Sequence, residues 1–289
     1  MIKIIKYFFQ SIIIYLFFIS IKIMGLELSR KKFSYIFKKL GPHLKSKEVI
    51  KKNLDKFIGP YNENKKEKIK EEMWSNYGKT FVEYLFLKTF KENNSHIVVE
   101  GEHILQSIIE KNKPVIFVSG HFANFELMSM ELTKRNINLA TIYRPLNNFF
   151  LNPFMEYLRK KYICKNQIKK GRAGVKDAIN YIQNKFSVAL MIDQRVSEGK
   201  KLPFFEHAAL TTTLPSQLAI KYQLDIVPIY IARDANNSFK MKIYEPIVNL
   251  DKDNSETNKL DLTIKLNKKL EQMISKDPGQ WIWTHNRWK

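Results

Sequence analysis

The sequence predicts an α/β fold, a sheet with flanking helices preceded by an apolar N-terminal helix, and three observations carry that expectation. From about His96 onward, short β-branched apolar runs alternate with amphipathic stretches, the pattern of strands and helices layered against one another. Residues 30–90 lack strand signals and read as helical, with charged runs such as Asn62 to Glu72 between apolar groups. Tyr7 to Met24 reads YFFQSIIIYLFFISIKIM, about the length that a short or tilted membrane helix needs. The expected organisation is a membrane-anchor helix over 1–28, a helical region over 29–95 and an α/β domain over 96–289.

The anchor carries Gln10 and Lys22 inside its apolar run, so crossing the bilayer and lying in its interface are both open readings. Lys3 and Lys6 precede it as in a signal peptide, but no small-residue cleavage pattern follows before Ser29-Arg30-Lys31-Lys32. An uncleaved anchor is expected, with the heavier downstream charge favouring a body on the cytoplasmic side of the membrane; the competing reading is a buried helix of a soluble domain. Strands are expected at Ile97 to Val99, Val115 to Val118, Leu139 to Tyr143, Val188 to Ile192, Ile226 to Ala232 and Phe239 to Tyr244. Helices are expected near 125–135, 149–160, 173–185 and 213–223, the last entered through Thr211-Thr212-Thr213-Leu214-Pro215, with threonine capping and proline in the first turn. A final helix, from about Ser255 to Ser275, precedes the tail that begins at Asp277 and ends in Trp281-Ile282-Trp283-Thr284-His285-Asn286-Arg287-Trp288-Lys289. No internal repeat and no low-complexity linker is present.

The chemistry concentrates after the second strand. There Val118-Ser119-Gly120 delivers His121, and Glu126 follows five residues later. On a continuous helix that offset is a rotation of about 140°, so the two would not share a face; they meet only if the chain turns between them. Asn124 is a good N-cap for a helix beginning Phe125-Glu126-Leu127-Met128, which puts Glu126 in the first turn, where the helix dipole favours a carboxylate. An imidazole beside a carboxylate that fixes its tautomer can act as a general base toward a hydroxyl. Without its surroundings, the same spacing reads equally well as a structural histidine beside a capped helix.

Further polar residues stand at strand ends and helix starts, where α/β folds gather their sites. Arg144 follows the third strand in Tyr143-Arg144-Pro145 and suits an anionic group, or is a surface turn. Arg159 and the run Lys169-Lys170-Gly171-Arg172 lie at helix boundaries and read either as anion ligands or as solvated charge. Asp193-Gln194 ends the strand Val188 to Ile192, a site-like position that also suits backbone hydrogen bonding. His285 reads as structural, and packing against the core is expected for at least one of Trp281 and Trp283.

The 289 residues are enough for one large domain with an appendage. The net charge of +21 favours an anionic partner, although the lysines are spread over many segments and part of the excess is general composition. Cys164 is the single cysteine, which excludes an intramolecular disulfide framework and a cysteine zinc site. No metal site and no nucleic-acid reading motif is expected.

His-x4-Glu after an apolar strand, then Tyr-Arg-Pro, Asp-Gln, Pro-Phe-Phe, a threonine-rich helix entry and Gln-Trp-Ile-Trp-x-His-x-Arg-Trp occur here in one order. In that order and spacing the chain resembles the bacterial lipid A late acyltransferases, the lauroyl and myristoyl transferase family, over nearly its whole length. The resemblance implies a glycerol-phosphate-acyltransferase-like sheet and transfer of a fatty acyl chain from acyl carrier protein to a hydroxyl of a lipid A precursor. It needs no cofactor, the acyl-carrier-protein thioester being the donor substrate, and it implies contact with inner-membrane lipids. His121 and Glu126 become the catalytic pair, and Asn124, Arg144, Arg159, Arg172, Asp193 and Gln194 the substrate-binding set. Inside the motif the chain has Phe-Ala-Asn-Phe instead of the commoner Gly-Asn-Trp form, which leaves the preferred acyl length open. The competing functions are acylation of a lysophospholipid, glycolipid or ornithine lipid, and non-enzymatic binding to an anionic surface.

Overall fold

The computed structural model describes residues 2–247 and 254–289. Five helices come first: α1 (Ile2–Met24), α2 (Leu26–Leu44), α3 (Lys47–Ile58), α4 (Glu63–Glu83) and, after a 3-10 turn at Tyr84–Phe86, α5 (Leu87–Glu92). Then follow β1 (Ile97–Glu100), α6 (Glu102–Lys111), β2 (Ile116–Ser119), α7 (Glu126–Lys134), β3 (Leu139–Tyr143) and α8 (Asn152–Leu158), which runs into a π turn at Arg159–Ile163. Next come β4 (Asn166–Lys169), α9 (Arg172–Gln183), β5 (Ser187–Met191), β6 (Lys200–Phe204), β7 (His207–Thr211) and α10 (Leu214–Tyr222). The chain closes with β8 (Ile226–Arg233), β9 (Phe239–Ile243), α11 (Glu256–Lys276) and a 3-10 turn at Pro278–Gln280.

The main sheet has seven strands in the order β1-β9-β8-β2-β5-β3-β4. All neighbours are parallel except β8 and β9, which form an antiparallel pair. Both faces are covered by helices, as a parallel sheet requires: along β2 all four residues are buried, Ile116 and Val118 facing one apolar core and Phe117 the other. The first core takes in α10, α11, Trp281 and Trp283, and the second α5, α6 and α7.

The α/β layering expected from the sequence is present, with differences in detail. The edge strand β4 buries only Ile168, so alternation is too weak to read, and α6 was not anticipated. The antiparallel hairpin β6–β7 turns at Phe205 and Glu206, both with positive φ (49° and 62°), the geometry of a two-residue hairpin turn without its usual glycine. Helix α8 starts later than expected because the Asn148 side chain captures the Phe150 amide.

Helix α1 is apolar and long enough to cross a membrane, with a mean hydropathy of 1.9. It packs on the body through a narrow stripe, Tyr7, Ser11, Ile14, Phe18, Ile21 and Met24, and its other apolar residues are exposed. Phe18 sits 5.4 Å from the Phe81 ring and 5.6 Å from that of Phe154. Behind it α2 and α4 pack so closely that a Cβ on Gly78 would collide with the Phe33 carbonyl.

Candidate active site

Residues 120–125 form a turn at the carboxyl end of β2, held from two sides. Ala123 has a φ of 42°, a left-handed conformation that is uncommon outside glycine. Its amide donates to the Gln280 carbonyl at 3.0 Å and its carbonyl accepts from Thr80 Oγ1 at 3.1 Å. Phe122 pairs with Trp281 in an isolated antiparallel bridge. The turn that carries His121 is therefore clamped between α4 and the C-terminal tail.

His121 meets a carboxylate here, but not the one five residues away. Its Nδ1 donates to Asp193 Oδ1 at 2.8 Å and its amide to Asp193 Oδ2 at 2.8 Å; Trp281 Nε1 donates to the same Oδ2 at 2.8 Å. Burial opposes ionisation of Asp193, yet the His121 charge and these donated hydrogen bonds hold its carboxyl down at about 2. An ionised carboxylate only accepts, so Nδ1 carries the proton and Nε2 is the basic nitrogen. The His121 side chain is 18% exposed and faces a cavity. The carboxylate hydrogen-bonded to His121 is thus Asp193, where Glu126 was expected, and the Asp193 side chain is fully buried.

Glu126 forms a buried ion pair instead. Arg159 Nε and Nη2 donate to its Oε1 at 2.8 and 2.6 Å, and Tyr84 Oη donates to the same oxygen at 2.7 Å. Burial and the Glu126 charge push the Tyr84 hydroxyl far above its usual range, so it remains a donor. Burial works against the Arg159 cation, but the Glu126 charge outweighs it and raises its pKa. The Arg159 guanidinium also lies 5.5 Å from the centre of the Tyr143 ring.

Both groups line one cavity of about 460 Å³, together with Arg144, Lys170, Gln194 and Lys45. A second cavity of about 320 Å³ adjoins it, sharing Ile142, Lys170, Val196, Thr212 and Leu214; these volumes suit a small-molecule site. Burial and the neighbouring Arg144 lower the Lys170 pKa, the mark of cations crowded where an anion would relieve them.

Of the residues singled out from sequence, His121, Glu126, Arg144, Arg159 and Gln194 share the larger cavity, and Arg172 lines only the adjoining one. Asn124 is 1% exposed and donates to Glu83 Oε2 at 3.0 Å, so it neither lines the cavity nor caps α7, whose N-cap is Phe125. That Glu83 carboxylate also binds Arg30 and Arg233, so Asn124 ties the turn to a buried charge network. His285 lines the cavity, but its Nε2 accepts the Arg195 amide at 2.9 Å and burial pushes its pKa down to about 4; it is a neutral structural acceptor, as expected. Tyr84 carried no sequence signal for the site, Lys170 was singled out only as part of the basic run 169–172, and Trp281 was not read as a site residue.

The comparison with known proteins agrees with this geometry. Residues 2–289 match the family model described as bacterial lipid A biosynthesis acyltransferase. Over 257 residues, 86% of this chain and 80% of the relative, the chain is 24% identical to the lipid A biosynthesis palmitoleoyltransferase of Escherichia coli (strain K12). The match to the lipid A biosynthesis acyltransferase of Shigella flexneri has the same identity and coverage. A histidine paired with a buried carboxylate at a strand end, an open cavity beside it and a match along nearly the whole sequence lead to one conclusion: the chain belongs to the bacterial lipid A biosynthesis acyltransferase family.

Proposed function

We propose that this protein transfers a fatty acyl chain from the thioester of acyl carrier protein to a hydroxyl of a lipid A precursor, at the cytoplasmic face of the bacterial inner membrane. The observation that carries the reading is the hydrogen bond from His121 Nδ1 to buried, ionised Asp193, which leaves Nε2 free to act as a base at the cavity wall.

In this scheme Nε2 takes the proton of the acceptor hydroxyl as its oxygen attacks the thioester carbon. Asp193 stabilises the imidazolium that forms. When the tetrahedral intermediate collapses, the C–S bond breaks, the imidazolium returns its proton to the departing thiolate, and an oxygen ester remains. The Glu126–Arg159 pair places a fixed cation and a held carboxylate on the same wall; its role is to position the reacting groups and to favour the developing oxyanion. Arg144, Lys170 and Lys45 match an anionic acceptor, and the excess of basic residues favours approach of an acidic carrier protein.

The test is incubation of detergent-purified protein with acyl-carrier-protein thioesters of several lengths and two acceptors, a Kdo-bearing lipid A precursor and a lysophosphatidic acid, read by mass spectrometry. One added chain on the lipid A precursor, absent with His121→Ala, is the expected result. Transfer only to the lysophosphatidic acid would reassign the acceptor, and no transfer from any thioester would remove the donor assignment.

A further inference from the structure

Strand β8 has eight residues against four in its parallel neighbour β2, so it runs on past the end of the strand that delivers His121. Counting on equally from the pair Val118↔Pro228 brings Arg233, the last residue of β8, level with Ala123. The Arg233 side chain is 6% exposed and points at α4, where Asn76, Thr80 and Glu83 recur at helical spacing along one face. Its Nε donates to Asn76 Oδ1 at 3.2 Å, its Nη2 to Thr80 Oγ1 at 3.3 Å and to Glu83 Oε2 at 3.0 Å, and its Nη1 to Glu83 Oε1. The backbone is held as firmly: the Arg233 amide donates to Gln280 Oε1 at 2.6 Å, and its carbonyl accepts from Gln280 Nε2 at 2.7 Å.

These four partners are the residues that hold the turn. Thr80 Oγ1 donates to the Ala123 carbonyl at 3.1 Å, and Asn76 Nδ2 reaches the same oxygen at 3.5 Å. The Gln280 carbonyl accepts the Ala123 amide, and Glu83 accepts from Asn124 Nδ2. A left-handed alanine persists only where its surroundings over-determine it, and here both of its backbone groups are held by residues that one arginine ties together. Arg233 does not line the cavity that His121 faces, so it has no reach to the reacting atoms.

We infer that Arg233 is a positioning residue for acyl transfer: by joining α4 to the C-terminal tail it holds Ala123 in its left-handed conformation and so sets the His121 imidazole against Asp193. The inference rests on the proposed role of His121 as the base. An ion pair that served stability alone would need only the positive charge beside Glu83, whereas the positioning role needs the planar fork that reaches Asn76, Thr80 and Glu83 at once.

Arg233→Lys keeps the charge and loses the fork, and Thr80→Val deletes one hydroxyl without stranding a charge. Both are compared with wild type as full chains in detergent, by steady-state kinetics with an acyl-carrier-protein thioester and a lipid A precursor, and by NMR of protein labelled with ¹⁵N-histidine. The Nδ1–H resonance of His121 is identified by its loss in His121→Gln. In Arg233→Lys, kcat should fall about 10–100-fold with KM unchanged, and the His121 resonance should shift or broaden. Thr80→Val should do the same to a smaller degree, and the double variant should be within about two-fold of Arg233→Lys, since the two act through one chain of bonds. Wild-type kcat and an unaltered resonance in Arg233→Lys would overturn the inference, as would rate losses that multiply in the double variant. If Arg233→Lys does not fold, Thr80→Val decides by the same two readouts. Absence of acyl transfer in the wild type would remove the proposed reaction, and the His121 resonance would still decide whether Arg233 sets the imidazole.

Discussion

Trp281 Nε1 and the His121 amide donate to the same oxygen of Asp193, each at 2.8 Å, so the tail and the turn after β2 share one buried anion. The His121 imidazole is thus oriented by a carboxylate that is itself held by an indole, and each link can be removed separately.

Asp193→Asn keeps the shape but offers an amide where a carboxylate orients the imidazole. In the serine-protease template the equivalent change lowers kcat by about 10⁴-fold. A fall in kcat of roughly 10³-fold or more, with KM little changed, is expected in steady-state assays. A variant retaining a tenth of wild-type kcat would remove Asp193 from the mechanism.

The same carboxyl makes stability depend on pH. Its pKa is lowered from 3.8 to about 2 in the folded chain, a contribution of about 2 kcal/mol. A depressed folded pKa gives stabilisation that is complete above the unfolded value and disappears as pH falls through the folded one. In thermal melts in detergent, the gap between wild type and Asp193→Asn should therefore be widest near neutrality and shrink below about pH 4. A constant gap would mean that the carboxyl does not titrate in this window.

Trp281→Phe preserves an aromatic ring in the core and deletes only the N–H donor. Asp193 then keeps two donated bonds, both from His121, at a cost of about 1–2 kcal/mol of stability. We expect kcat to drop several-fold, with the pH dependence of the melting gap displaced upward. Unchanged melting and turnover would make the indole contact incidental.

Arg159 and Glu126 are both nearly buried, and removing one partner strands the other. Arg159→Met should destabilise the fold by about 3–5 kcal/mol, and adding Glu126→Gln should recover much of that stability without recovering turnover. A double-mutant cycle in melts and in rate separates the two effects. Full recovery of activity in the double variant would show the pair to be structural alone.

The layering and the position of His121 at a strand end were within reach of the sequence, whereas Arg159, read there as a substrate-binding residue, gave no sign of its pairing with Glu126. Which carboxylate serves His121 was out of its reach too. Glu126 is near in sequence, whereas Asp193 becomes a neighbour only because β2 and β5 lie side by side in the sheet. The register Ser119↔Met191 places His121 and Asp193 each two residues beyond paired positions, at the same level above adjacent parallel strands. Strand runs can be read from hydrophobic pattern, but strand order cannot, so the partner stayed hidden. The hairpin β6–β7 was missed for a local reason: its turn residues are Phe205 and Glu206, which carry none of the glycine or asparagine chemistry that announces such turns.

The clamp on Ala123 has a consequence for biogenesis. Synthesis proceeds from the amino end, so a nascent chain acquires its imidazole and both carboxylates long before Gln280 and Trp281 leave the ribosome. Until those residues arrive, the left-handed turn lacks its carbonyl acceptor and Asp193 lacks its indole donor. The turn that carries His121 is therefore completed only by the last residues to be made. A chain ended after Lys276 should bind membranes and turn over nothing.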